Sequence, residues 1–184
     1  MATPVKRPTG RDEISDAVLD AAERLFAAAG PVDVSLRGIA VEAGVNYGLV
    51  HRHFGTKDEL FDRLLARYAE RWIAQLDAGA DYDTALETLL SPSPTTGAYL
   101  RLLAWTLLSD DKGADAHRRH AALDRLPELR DGEDAATTTA AALALVFGWR
   151  FFHPFIRAAL HLDDLDPAEL HEAIRAELHR MTRR

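Results

Sequence analysis

Residues 35–57 read SLRGIAVEAGVNYGLVHRHFGTK, and this stretch decides the fold. Ser35 is suited to cap a helix, and Leu36, Ile39, Ala40 and Ala43 then share one side of barely two turns. Gly44 supplies the left-handed residue that reverses the chain within three or four positions, and Val45 fills the angle it creates. A polar Asn46 follows, and Tyr47 to Phe54 forms a third short helix whose Val50 and Phe54, four apart, turn inward together. Two short helices joined by so tight a turn form a helix-turn-helix, whose second helix is shaped to enter the major groove of DNA. Asn46, Tyr47, Leu49, Arg52 and His53 remain for its outer side. Leaving Tyr47 and Leu49 in water is unfavourable unless a partner covers them.

Upstream, Ile14, Val18, Ala21, Ala22, Leu25, Phe26 and Ala29 recur three or four apart from Arg11 onward, predicting a first helix that Gly30 and Pro31 stop. Downstream, Thr56-Lys57-Asp58-Glu59 has the form of a capping box and opens a long fourth helix that fades near Gly79. Five more helices are predicted at 84–90, 96–108, 114–126, 133–162 and 167–183, with Pro154 kinking or ending the eighth. No segment alternates as a strand does, so the class is all-α with about nine helices. The domain organisation expected is a helix-turn-helix domain over 1–55 and a helical ligand-binding and dimerisation domain over 56–184.

With 184 residues, 47% hydrophobic and 28% charged, the composition is that of a globular protein. The longest apolar run, Ala140 to Trp149, is half of what a bilayer span needs, and the N-terminus lacks the apolar core of a signal peptide, so a cytoplasmic protein with no membrane span is expected. Absence of cysteine excludes disulfides, thiolate metal sites and thiol nucleophiles. The net charge of -7 argues against indiscriminate polyanion binding. Within Val34 to Lys57, however, Arg37, Arg52 and Lys57 stand against Glu42 alone, a local net charge of +2 to which His51 and His53 can add.

From Arg11 to Leu65 these residues resemble the TetR-type (tetracycline-repressor-like) transcriptional regulators. The resemblance rests on Ile14 to Phe26 with Gly30, on Ser35-Leu36-Arg37-Gly38-Ile39-Ala40, on Ala43-Gly44-Val45, and on His53-Phe54 with Lys57-Asp58-Glu59-Leu60 in fixed order. It implies a homodimer bound to a near-palindromic double-stranded operator, usually as a repressor, and released when a small molecule enters the C-terminal region. It also implies that Ser35, Asn46, His51, Arg52 and Lys57 hold phosphates while Arg37, Tyr47, Gly48 and Leu49 approach bases, Gly48 by letting the backbone come close. His51 stands where the family commonly has an aromatic, which leaves that contact in doubt, and Lys6, Arg7 and Arg11 could extend along the backbone or minor groove. Plainer roles compete: Ser35 and Thr56 as caps alone, and His53 as a packing residue beside Phe54.

The eighth helix carries Phe147, Trp149, Phe151, Phe152 and Phe155 on nearly every side, a pattern that predicts burial. One side is expected in a dimer interface. Another, with Tyr99, Leu102 and Trp105, could line a pocket for a hydrophobic effector, core packing being the alternative for each aromatic. Arg150 and Arg157 share a face and could attract an anionic ligand or pair with carboxylates. His117 and His120 are spaced as helical metal ligands are, but nothing fixes a third ligand, and neither a metal nor a cofactor is expected. His171 and His179 are expected on the surface of the last helix. No phosphate loop, zinc-protease pattern or nucleophile elbow is present, so an enzyme is the weakest class. The principal alternative to a DNA-binding regulator is a helical adaptor that binds protein.

Overall fold

A computed structural model of the chain describes residues 10–108 and 121–183. Every regular element among them is helical: α1 (Arg11–Asp33), α2 (Leu36–Glu42), α3 (Tyr47–Phe54), α4 (Lys57–Asp77), α5 (Tyr82–Leu90), α6 (Pro94–Leu108), α7 (Ala121–Asp124), a 3-10 turn at Pro127–Leu129, α8 (Ala135–Ala159) and α9 (Pro167–Thr182). Lys6, Arg7, His117 and His120 lie outside the described residues, as does the first part of the helix expected over 114–126.

The local signals act where they stand. Gly30 takes φ 77° and breaks the regular path of α1, and Pro31 begins its last short turn. The Asp166 carboxylate accepts from the backbone N–H groups of Ala168 and Glu169 with Pro167 at the first helical position, so α9 starts where its sequence directs. Three starts differ from expectation, the simplest being α8, which begins at Ala135 rather than at 133. Asp81 caps Thr84 at 2.8 Å, so α5 begins at Tyr82 rather than at 84, and Pro94 opens α6 instead of preceding it. Pro154 sits inside α8, which runs on to Ala159.

The described residues form two compact units, one of 10–68 with 101–108, the other of 69–100 with 121–183. The first unit thus includes the opening turns of α4 in addition to the expected 1–55. Its core is aromatic: the Phe26 and Phe61 rings meet edge to face at 5.9 Å, and Phe61 meets Trp105 at 5.6 Å in the same way. Arg24 of α1 pairs with Glu42 of α2 at 2.9 Å, and Arg67 of α4 reaches Asp20 of α1, so α1 is tied to both α2 and α4.

In the second unit α5, α8 and α9 pack together. Tyr82 and Thr139 share a buried hydrogen bond of 3.0 Å between α5 and α8. His179 is half-buried rather than on the surface, with Nε2 2.6 Å from the Glu87 carboxylate, and Thr182 donates to Asp83 at 3.1 Å. The eighth helix departs from its expected burial. Its buried residues, Thr139, Ala142, Val146 and Trp149, follow a single stripe at helical spacing. Phe152 and Phe155 fall off that stripe at 59% and 71% exposure. By length and composition α8 could cross a bilayer, yet Arg150 and Arg157 lie within it and both bind backbone carbonyls: Arg150 that of Ser91, Arg157 those of Asp163 and Leu165.

Candidate nucleic-acid interface

The helix pair is closed by groups that its own sequence supplies. Ser35 Oγ accepts the Gly38 N–H at 3.1 Å and Asn46 Oδ1 accepts the Gly48 N–H at 2.7 Å, so each short helix has a side-chain cap. Between them Gly44 takes φ 68°, a conformation costly for any residue with a Cβ, and Val45 N–H returns to Ala40 O at 3.0 Å. A Cβ on Gly48 would stand 3.1 Å from Asn46 Oδ1. Glycine at 48 therefore leaves room for the Asn46 cap, independently of any approach to DNA.

Burial divides α3 as its pattern predicts, with Val50 and Phe54 in the core. Asn46, Tyr47, Gly48, His51 and Arg52 are exposed, while Leu49 and His53 are half-buried and so less available than the outer-face assignment expected. Arg37 on α2 is also exposed, and its guanidinium carbon lies 5.8 Å from the centroid of the Tyr47 ring. The lone acid of the segment, Glu42, is paired with Arg24, which leaves the charge of Arg37, Arg52 and Lys57 less opposed on this face.

Lys57 opens α4, with Nζ donating to the Val32 carbonyl at 3.2 Å and lying 5.5 Å from the Phe61 ring centroid. Partial burial pulls its ammonium pKa below the ordinary lysine value, against the opposing charges of Asp58 and Asp33. A shallow depression of ≈ 460 Å³ lies here, lined by Val32, Asp33, Ser35, Arg37, Tyr47 and Lys57 among others. Val32 and Asp33 went unnoticed in the sequence because they join the face only through the fold, more than twenty residues before Lys57. Beside them Glu59 accepts from both the N–H (2.7 Å) and the O–H (3.0 Å) of Thr56, bonds that hold its carboxyl below the usual carboxylate range. The Thr56 proton is thereby spent on Glu59, whereas Ser35 accepts and keeps its own O–H to donate.

The residues expected at an effector pocket are distributed as follows. Tyr99 and Leu102 are buried on α6, Tyr99 deeply enough that desolvation pushes its phenol up to about 12. Trp105 is half-buried against Phe61. On α8, Phe147, Arg150 and Phe151 are half-buried, the two phenylalanine rings 6.2 Å apart, and Phe155 is exposed.

Comparison with known proteins accounts for this geometry. Residues 18–64, which contain the whole helix-turn-helix, match the family of bacterial regulatory proteins called the tetR family. The chain is 37% identical over 170 residues to the HTH-type transcriptional repressor Rv3405c of Mycobacterium tuberculosis, covering 90% of this chain and 87% of that protein. It is 29% identical over 138 residues to the HTH-type transcriptional repressor ComR of Escherichia coli, covering 66% of each. Among solved structures, a transcriptional regulator from Rhodococcus superposes with a TM-score of 0.67 at 23% identity, covering 92% of this chain and 96% of that one. The multidrug binding protein EbrR, complexed with ethidium, superposes with a TM-score of 0.63 at 23% identity, covering 94% and 99%. With the motif residues in place and identity extending far beyond them, the chain belongs to the tetR family of bacterial regulatory proteins and is a transcriptional regulator, not an enzyme.

Proposed function

We propose that the protein acts in the cytoplasm as a homodimeric repressor, setting two α3 helices into the major groove of a near-palindromic double-stranded operator and leaving it when a small hydrophobic effector binds. The observation that carries the DNA reading is the capped α2–α3 pair, with Val50 and Phe54 inward and Arg37, Tyr47 and Arg52 outward. Ser35, Asn46, His51, Arg52 and Lys57 hold phosphates, and Arg37, Tyr47, Gly48 and Leu49, flanked by His53, lie toward the bases. Lys57 must exchange the Val32 carbonyl for a phosphate oxygen to do so. One two-turn helix reads too few bases for tight binding, so two-fold pairing is needed. The exposed Phe152 and Phe155 give that pairing an apolar surface.

The C-terminal helices supply the effector site, with Tyr99, Phe147, Arg150 and Phe151 as candidate lining. EbrR, of similar fold, is a multidrug binding protein crystallised with ethidium, which supports an apolar or aromatic effector.

Selection of bound duplexes from a random pool tests the reading. Enrichment of a palindrome, bound by a dimer, is expected, with Lys57→Gln weakening all duplexes alike and reducing the salt slope by about one. No enrichment at low salt would favour the protein-binding adaptor instead.

A further inference from the structure

Arg37 is the second residue of α2 and Tyr47 the first of α3, so the turn sets an exposed guanidinium across from an aromatic ring on the neighbouring helix. Their separation, 5.8 Å from Cζ to the ring centroid, is within the range of cation–π attraction. The Tyr47 ring also lies 6.3 Å from that of His51, one turn along α3. Tyr47 is 42% exposed, so more than half of its surface is already covered within the protein, as suits a support better than a probe.

An exposed arginine samples many rotamers, and ordering it on binding opposes recognition. Its planar fork matches the two adjacent acceptors, O6 and N7, that guanine presents in the major groove, provided the plane is held at the right angle. We propose that Tyr47 is the positioning residue for Arg37: its ring holds the guanidinium so that the fork meets one guanine in each half-site, and its hydroxyl has no part in the selection. The proposal rests on the operator reading above and adds to it a base and a division of labour between two helices.

The test uses the full-length protein and the duplex it selects, compared with the same duplex carrying one symmetric replacement of the proposed G·C pair by A·T. The wild type is expected to prefer guanine about tenfold or more, and Arg37→Ala to abolish the preference. Tyr47→Ala should reduce it about two- to fivefold, the size of an exposed cation–π contact, while Tyr47→Phe retains it. In the Arg37→Ala background Tyr47→Ala should change the base preference no further. Both side chains are exposed, and unchanged thermal unfolding of each variant verifies that the fold is not what has been altered. Three results overturn the proposal: Tyr47→Ala weakening both duplexes equally, Tyr47→Phe behaving as Tyr47→Ala, or the guanine preference surviving Arg37→Ala. Failure of the wild type to enrich any duplex overturns the operator reading itself, and is distinct from an enriched duplex indifferent to Arg37.

Discussion

The first four helices and the eighth use aromatic residues in opposite ways. Phe26 and Phe61 are closed off at 0% and 1% exposure, while Phe152 and Phe155 stand open at 59% and 71%. Around the first pair, α1 and α4 turn their aromatic rings toward each other, and the two rings close edge to face inside the unit. Along α8, a helix of 25 residues satisfies its contacts with one stripe and keeps further apolar surface uncovered. A single chain completes the first region. The second is complete only if another surface covers it, which is why homodimerisation is proposed on it.

Substitution should separate the two regions sharply. Phe61→Ala removes a ring that touches both Phe26 and Trp105, and is expected to destabilise the protein by about 3–5 kcal/mol in urea unfolding. Phe155→Ala, measured at a concentration where the chain is monomeric, should shift stability by no more than about 0.5 kcal/mol. Comparable losses at both positions would break the contrast. Next in size, Phe152→Asp with Phe155→Asp should convert the proposed dimer to monomer in sedimentation while leaving the helical spectrum intact. A dimer that survives both charges pairs through some other surface.

The α5–α8 contact offers a finer measure, because its hydrogen bonds have a direction. Thr139 Oγ1 donates its single proton to the Ala135 carbonyl at 2.7 Å, so in the 3.0 Å bond with Tyr82 it is the phenol that donates. Thr139→Val orphans that buried donor, at a cost of about 1–3 kcal/mol, whereas Tyr82→Phe removes the donor itself and should cost roughly 0.5–1.5 kcal/mol. The reverse order would mean that the second unit relaxes more easily than its packing suggests.

What was legible in the sequence follows the range of the interactions. Ser35, Thr56 with Glu59, and Asp166 act on groups two or three residues away, and each can be read from the chain as written; Asn46 acts over the same range, but its cap emerges only in the structure. The apolar spacing of Val50 and Phe54 likewise set the inner face of α3 and, by elimination, the outer one. Arg150 could not be placed this way, since its carbonyl partner at Ser91 is 59 residues distant, nor could His179, whose Glu87 is 92 distant. The exposure of Phe152 and Phe155 escaped for a different reason: a helix apolar on every side looks the same whether its neighbours come from its own chain or from another. Asp81 also acts three residues away, on Thr84, which places the start of α5 ahead of its aliphatic pattern at Ala85.

A further small effect is expected at the turn on which the fold was read. Asn46→Ala removes the α3 cap and should cost about 1 kcal/mol, the usual value for such a residue. Gly48→Ala by itself combines two opposed terms. Alanine favours a helix by up to about 1 kcal/mol over glycine, but its Cβ would press on Asn46 Oδ1 at 3.1 Å and displace the cap. In the Asn46→Ala background that oxygen is gone, only the favourable term is left, and the double variant should recover much of the loss. Stability would then return almost to its starting value while the α3 N-terminus carries neither the Asn46 amide nor a bare backbone at 48. If operator affinity falls in that double variant while its unfolding midpoint stays put, the two residues serve the DNA as well as the turn; if affinity is kept, their place in the sequence is explained by the turn alone.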